Sequence, residues 1–378
     1  MLLLGILLIA ANMRASITVV GPLLSEIVRA YGLSGAEAGV LTALPVIGFA
    51  ACSPYAPRLA RRVGMERALL TAMLILIVGV AVRSLPWAPA LFGGTLVLAV
   101  GIAVANVLLP AFVKQHFSGH QSTLTSLYAT TMSLVAAIAS GVAVPLAAAL
   151  PAGWRTALAV WGVLVVMAVA VWVPHAQRAN DAGPVSAGAP LPWRSAVAWQ
   201  VTALMGLQSF GFYVMIGWLP SVLAAHRIGT RAAGLELFAY QLVSLATSLA
   251  LPLLAERRAD HRPLAGATAA CCAIAYAGLL LAPGISLVWV LLAGCGTGPA
   301  LVLALSFMAL RAHRAAQAAA LSAMAQSVGY LLAAAGPFLF GALHAASGGW
   351  SASLVLLLAS AVALFAVGLR AGAPGVRA

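Results

Sequence analysis

The stretch "LLIAANMRASITVVGPLLSEI" (residues 7–27) decides how the rest of the chain is read. Nearly all of it is apolar, yet Arg14 stands in its middle, and a guanidinium stays protonated at any physiological pH. The apolar run has no basic region ahead of it and continues past Arg14 to Leu24, so it reads as a retained span and not a cleaved leader. Around it lie 378 residues, 63% hydrophobic and 7% charged, with a mean hydropathy of +1.06. Soluble domains carry about 25% charged residues. A chain with so little charge cannot cover a water-facing surface, so its solvent is a bilayer. The backbone must then satisfy itself within each spanning segment, which favours helices.

A helix needs about 20 mostly apolar residues to cross the hydrocarbon. Cutting the sequence at polar clusters and Gly/Pro breaks gives twelve spans. Six run over 2–28, 36–57, 68–85, 90–113, 122–150 and 154–173, and six over 197–224, 231–254, 263–282, 286–310, 316–344 and 350–369. The one long polar stretch, "PHAQRANDAGPVSAGAPLPWR" (174–194), reads as a linker. The expected organisation is therefore a six-helix half at 1–173, a linker at 174–196 and a second half at 197–378.

The net charge of +13 would suggest nucleic acid in a soluble protein, but in a membrane protein basic loops set orientation. Loops after even-numbered spans, with the C-terminus, hold 14 of the 20 basic residues. The opposite loops hold five: Arg29, Arg83, Arg155, Arg227 and Arg231. This bias predicts that both termini and the linker are cytoplasmic. Cys52, Cys271, Cys272 and Cys295 sit in apolar runs without metal-ligand or redox spacing. No metal, cofactor or nucleic-acid partner is expected.

The halves echo each other. Pro22 and Pro220 are 198 apart, Pro57 and Pro252 are 195 apart, Gly101 and Gly296 are 195 apart, and Trp154 and Trp350 are 196 apart. The first pair, in Gly21-Pro22 and Leu219-Pro220, is expected to close the first helix of each half. Duplicated halves around a midplane site are a plan of secondary transporters. Twelve spans, a central linker and two related halves resemble the major facilitator superfamily. Its usual Gly-x-x-x-Asp-Arg/Lys-x-Gly-x-Arg/Lys loop is represented at 57–67 by "PRLARRVGMER". Arg62 and Gly64 fit, whereas Pro57, Arg61 and Glu66 stand where Gly, Asp and a base belong. In the second half Arg258 and Arg262 fit, and Asp260 replaces the second Gly. Within the superfamily, "NMRASITVVGPLLSEI" (12–27) and "AGVLTALPVIGFA" (38–50) resemble the cyanate/2-nitroimidazole permease family. That resemblance implies movement of small planar or linear solutes, some of them anions.

Arg14 lies about 18 Å along its span at ~1.5 Å per residue, too deep to snorkel. A charge there costs from ~2.5 to more than 10 kcal/mol, so it should face the bundle interior. It can contact solute, cap helix carbonyls or form a buried ion pair. No carboxylate lies mid-span; Glu236, about six residues inside helix 8, comes nearest. At 100° per residue Arg14 and Thr18 share a face, while Asn12 and Ser16 fall opposite and read as helix–helix bonding groups. The superfamily resemblance implies that helices 1, 4, 7 and 10 line the cavity. It thereby adds Asn106 on helix 4 and Gln208, Phe210 and Tyr213 on helix 7. Neighbouring helices offer Thr42, Tyr128, Tyr240, Gln241, Gln326 and Tyr330, each of which also reads as an interhelical bond or core aromatic. Arg61, Arg62, Gly64, Arg258 and Asp260 are the cytoplasmic gating-loop candidates. The segments "SGVAVP" (140–145) and "AAAGPFLFG" (333–341) suit tight packing where gates close.

The resulting expectation is a monomeric twelve-helix permease of a bacterial inner membrane, carrying a small polar or anionic solute by alternating access. One rival is an exporter of apolar drugs in the same fold. Another is a membrane enzyme or sensor, but the sequence offers no nucleophile–base pair, metal cluster or phosphate loop to support one.

Overall fold

A computed structural model describes residues 1–117, 121–178, 191–255, 260–311 and 315–374. Among them are fifteen α-helices and no strand. The first half comprises α1 (Leu2–Thr18), α2 (Val20–Tyr31), α3 (Gly35–Cys52), α4 (Ala56–Val63), α5 (Met65–Arg83), α6 (Ala88–His116), α7 (Gln121–Ala149), α8 (Trp154–Ala159) and α9 (Gly162–Arg178). The second comprises α10 (Ala196–Ala225), α11 (Thr230–Ala255), α12 (Arg262–Leu281), α13 (Ser286–Leu310), α14 (Ala315–Ser347) and α15 (Ser351–Ala371). Eleven spans are long and apolar enough to cross a membrane, and α1 with α2, bent by 42°, makes a twelfth. Their exposed faces carry Leu74, Val78, Val163, Val166, Val355 and Val362, all more than 45% accessible. Meanwhile Asn12, Thr95, Ser140, Gln208 and Ser353 are buried. Apolar side chains outside and polar ones within is the arrangement that lipid selects.

The expectation that Pro22 and Pro220 close their helices is corrected by the structure. Helix α2 runs on to Tyr31 and α10 to Ala225. Pro22 is the third residue of α2, where its missing N–H is not needed within that helix. Pro220 lies inside an unbroken α10.

Contacts divide the chain into two compact units, Met1–Gly32 with Leu44–Ser186, and Leu33–Ala43 with Ala187–Ala378. The first turns of α3 therefore group with the second unit, although they precede the linker in sequence. Small residues let backbones approach closely within each unit. In the first, a Cβ on Gly101 of α6 would lie 2.5 Å from the Ala72 carbonyl oxygen on α5. In the second, a Cβ on Gly296 of α13 would lie 2.6 Å from the Thr268 carbonyl oxygen on α12. Gly101 and Gly296 are 195 apart and their partners 196 apart, so the repeat seen as spacing is also a repeat of packing. On α14, Gly336 receives the Phe210 ring and Gly329 meets the Gly206 backbone. The Trp218 indole N–H donates to the Pro337 carbonyl at 3.0 Å.

Candidate functional site

The first span is where packing and polarity meet. Helix α1 ends at Thr18, α2 begins at Val20, and Val19 is the joint. Because Pro22 has no N–H, the Thr18 carbonyl loses its usual donor four residues on. The Ser140 hydroxyl of α7 donates to that carbonyl at 3.3 Å. The Thr18 hydroxyl in turn donates to the Ala136 carbonyl at 2.9 Å. Two residues before Thr18, the Ser16 carbonyl accepts from Arg83 Nη1 at 2.6 Å. Arg83 Nη2 donates to the Leu158 carbonyl of α8 at 3.4 Å. The bend is thus stitched by side chains from α5 and α7.

Arg83 was counted above among loop cations, and the structure corrects this. It is the last residue of α5 and only 1% exposed. The Gly94 backbone of α6 leaves room for it: a Cβ there would overlap the Arg83 main chain. No carboxylate pairs with Arg83 among the described residues, and its Nε finds no protein partner. An apolar span ending in Arg-Ser-Leu-Pro looks like a solvated boundary. The fold buries it where α1, α6 and α8 meet the end of α5. Beside this region Arg155 lies over the rings of Trp154 and Tyr31, at 5.0 and 5.6 Å from their centroids.

Arg14 is half-buried on α1, one turn before the joint. Asn12 donates through Nδ2 to the Leu8 carbonyl at 2.8 Å and the Leu164 carbonyl of α9 at 3.0 Å. The Ser16 hydroxyl is buried without a protein partner among the described residues. Asn106 on α6 is half-buried, and Tyr128 on α7 is buried.

The second unit gathers more of the candidates. Gln208, Phe210 and Tyr213 on α10 and Tyr240 and Gln241 on α11 are all buried. Gln208 donates to the Ser209 hydroxyl at 2.6 Å. It lines a small cavity alongside Gly211, Cys272, Tyr276, Thr297 and Ser360. Tyr276, Thr297 and Ser360 were not singled out as site candidates from sequence, and Cys272 was read there only as one of four cysteines in apolar runs. Phe212 lies between Tyr213 and Tyr240, with ring centroids 5.3 and 6.4 Å away. Thr42 is buried, and its hydroxyl bonds within α3 to the Ala38 and Gly39 carbonyls. Its methyl side would meet a Cβ on Gly217. Gln326 donates to the Ser322 hydroxyl at 2.9 Å, and Tyr330 is half-buried on the same helix. Among the described residues, no cluster of three His, Cys, Asp or Glu side chains is placed to hold a metal.

The family model described as Major Facilitator Superfamily matches residues 4–334. The chain belongs to the major facilitator superfamily. A 2-nitroimidazole transporter of Escherichia coli (strain K12) is 44% identical over 376 residues, covering 98% of this chain and 95% of that protein. The cyanate transport protein CynX of the same organism is 26% identical over 352 residues, covering 92% and 91%. The crystal structure of a bacterial homologue of the human lysosomal transporter Spinster superposes with a TM-score of 0.83. It has 14% identity and covers 98% of this chain and 96% of the other, and so attests to the fold alone. The protein is thus a multi-span membrane transporter of this superfamily, similar to the nitroimidazole and cyanate carriers.

For a superfamily member, the loop between its second and third spans is unusual. Arg61 and Arg62 are exposed on α4, and Gly64 turns the chain with φ of +87°, a conformation that a Cβ disfavours. Glu66, standing where the superfamily has a base, pairs with His116 at 3.3 Å. Its carbonyl accepts from the Trp172 indole at 2.9 Å. In the second unit Asp260 accepts from the Arg262 backbone N–H at 3.0 Å. Arg258 and residues 179–190 of the linker lie outside the described residues.

Proposed function

We propose that this transporter carries a small planar or linear solute, polar or anionic, through a path where Arg14 makes the principal contact. The observation that carries this reading is the place of Arg14: a permanent charge in the middle of the first span, half-buried, one turn from a side-chain-stitched bend. Cyanate is a linear anion, and 2-nitroimidazole presents a planar nitro group. Both offer acceptor atoms to a guanidinium: the nitro group can accept two parallel hydrogen bonds, and cyanate can accept at a charged end. Alternating access would expose the solute to each side in turn, with the monomer as the working unit.

The test is counterflow of cyanate and 2-nitroimidazole in proteoliposomes, with folded protein quantified beside it. Loss of flux in Arg14→Lys at normal abundance supports a fork-shaped contact, because an ammonium keeps the charge but not the geometry. Poor recovery of Arg14→Ala instead would indicate a structural group.

We further propose a bacterial inner-membrane location with both termini cytoplasmic, on the bias of basic residues among the loops. Burial of Arg83 removes one cation from the minority side and so strengthens the loop asymmetry. A single cysteine introduced in the linker should resist impermeant thiol reagents in intact cells, and labelling from outside would reverse the topology.

A second reading, export of apolar compounds, draws on the cluster of Phe212, Tyr213 and Tyr240. Aromatic rings of this kind accept apolar solutes without a charged contact. Transport that survives Arg14→Ala would favour it.

A further inference from the structure

Arg83 presents a problem that fold stability alone does not answer. It is 1% exposed, it contacts two carbonyls, and no carboxylate offsets it among the described residues. Burying a cation without a counter-ion is costly unless its donors are well used, and one of them, Nε, has no protein partner.

The second half carries no charge at the corresponding places. Residues 195 positions on from Arg83 and Gly94 are Gly278 and Trp289. There the assignment of bulk is reversed: a Cβ on Gly278 would run into the Trp289 ring. In the first half the glycine receives the Arg83 main chain, and in the second the glycine receives the Trp289 ring. What the guanidinium adds is a pair of directed donors.

Those donors reach the joint. Ser16 lies two residues after Arg14 and on the opposite helical face. Its intrahelical donor would be the Val20 N–H, beyond the interruption at Val19. Nη1 supplies a bond to this carbonyl from behind, and Nη2 anchors the same guanidinium to α8 through Leu158. The rotation of α1 about its axis near Arg14 thereby becomes tied to α5 and α8.

We infer that Arg83 is a positioning residue for the solute site: by holding the Ser16 carbonyl at the joint, it sets the direction in which the Arg14 side chain points. This inference rests on the reading of Arg14 as the solute contact, and the experiment separates the two. In a variant lacking the four native cysteines, Arg14→Cys places a thiol at the position in question. Its rate of reaction with a small methanethiosulfonate in detergent is then compared with Arg83, Arg83→Lys and Arg83→Met in the background. Thermal unfolding confirms that each sample is folded.

Arg83→Met, which keeps the stem and removes the donors, should change that rate by about tenfold. Arg83→Lys, able to reach one carbonyl, should restore part of it. In proteins retaining Arg14, Arg83→Met should raise the KM for cyanate or 2-nitroimidazole more than it lowers kcat per folded molecule. A thiol rate within twofold of the reference in both Arg83 variants overturns the inference, as does a change that Arg83→Lys does not relieve. If Arg83→Met cannot be recovered folded, Arg83→Lys decides alone: an altered rate supports the inference and an unaltered one overturns it. If Arg14→Gln transports normally while the thiol rate responds to Arg83, the Arg14 reading fails and the positioning stands. If Arg14→Gln abolishes transport while the thiol rate ignores Arg83, only the present inference fails.

Discussion

The first spans of the two halves begin from the same plan and end differently. Each carries a proline 198 residues from the other, but α1 and α2 bend by 42° around Val19 while α10 runs unbroken for 30 residues. Proline alone therefore does not break the helix. In the first half, Ser140 and Arg83 supply donors to the carbonyls of Thr18 and Ser16. At the corresponding places, 196 and 195 residues on, the second half has Gly336 and Gly278, which have no side chain to offer. A bend persists where exposed carbonyls find new partners, since an unpaired one in an apolar interior costs about 1–3 kcal/mol.

The largest expected effect separates the two spans by chemistry. At an offset of 198, Arg14 corresponds to Phe212. Arg14→Ala should lower transport per folded molecule by roughly a hundredfold, the scale of losing a charge-assisted bidentate contact. Phe212→Ala should reduce it by about tenfold or less, through loss of packing beside Tyr213 and Tyr240. Equal losses in counterflow assays would erase the distinction between a charged first span and an aromatic seventh.

A second pair tests what the halves share. Gly101→Val and Gly296→Val each drive a side chain into the facing carbonyl of Ala72 or Thr268. Overpacking of this kind costs about 1–3 kcal/mol and occasionally more. Both variants should show markedly reduced folded protein by size-exclusion profile and a lower unfolding temperature, to similar extents. Tolerance at one position and collapse at the other would mean that the repeated spacing does not reflect repeated packing.

Much of this architecture can be read directly from residues. Apolar runs of spanning length give the twelve spans, because a helix closes its backbone hydrogen bonds within one continuous apolar segment. Gly101 and Gly296 mark the repeat because backbone approach tolerates only the smallest residue there. The bend was not legible: Pro22 and Pro220 look alike in sequence, and what distinguishes them lies on helices far along the chain. Arg83 was misleading for a related reason. A cation at the end of an apolar run normally meets water, and only the packing of α1, α6 and α8 around that end buries it. Thr18 shows the same limit within the candidate site. Helical angle places it beside Arg14, but its hydroxyl is engaged with Ala136 on α7. Periodicity identifies a face; the neighbour on that face depends on tertiary packing.

Smaller effects should come from the prolines themselves. Pro22→Ala returns an N–H to the Thr18 carbonyl, competing with Ser140 and favouring a straighter first span. Transport should shift a few-fold, with unfolding temperature unchanged or slightly raised, as helix propensity improves by up to ~3 kcal/mol for an interior proline and less near a helix start. Pro220→Ala, in a helix already continuous, should leave transport unaltered. If the two variants behave alike, the side chains at the joint are not what distinguishes the halves.

The smallest effect is expected at Glu236, where the asymmetry of charge runs the other way. The first half has Val40 at the position 196 residues earlier, so this carboxylate belongs to the second half alone. Its Oε1 accepts from the Ser286 hydroxyl at 3.0 Å, while Oε2 is enclosed without a protein partner among the described residues. Proton-driven porters use interior Asp, Glu or His groups as carriers, and Glu236 sits within α11. It lies only about two turns from the start of the helix, short of the helix middle. Glutamine keeps an acceptor for Ser286 and removes the titrating group. Uptake driven by an imposed pH gradient, with voltage clamped by a potassium ionophore, should therefore be the same in wild type and Glu236→Gln within about twofold. An anion crossing without a co-ion would respond instead to voltage, at ~2.3 kcal/mol per charge per 100 mV. Accumulation that follows the pH gradient in wild type and vanishes in the glutamine variant would make Glu236 the proton carrier. The second half would then hold the coupling group, opposite in sign to the arginines of the first.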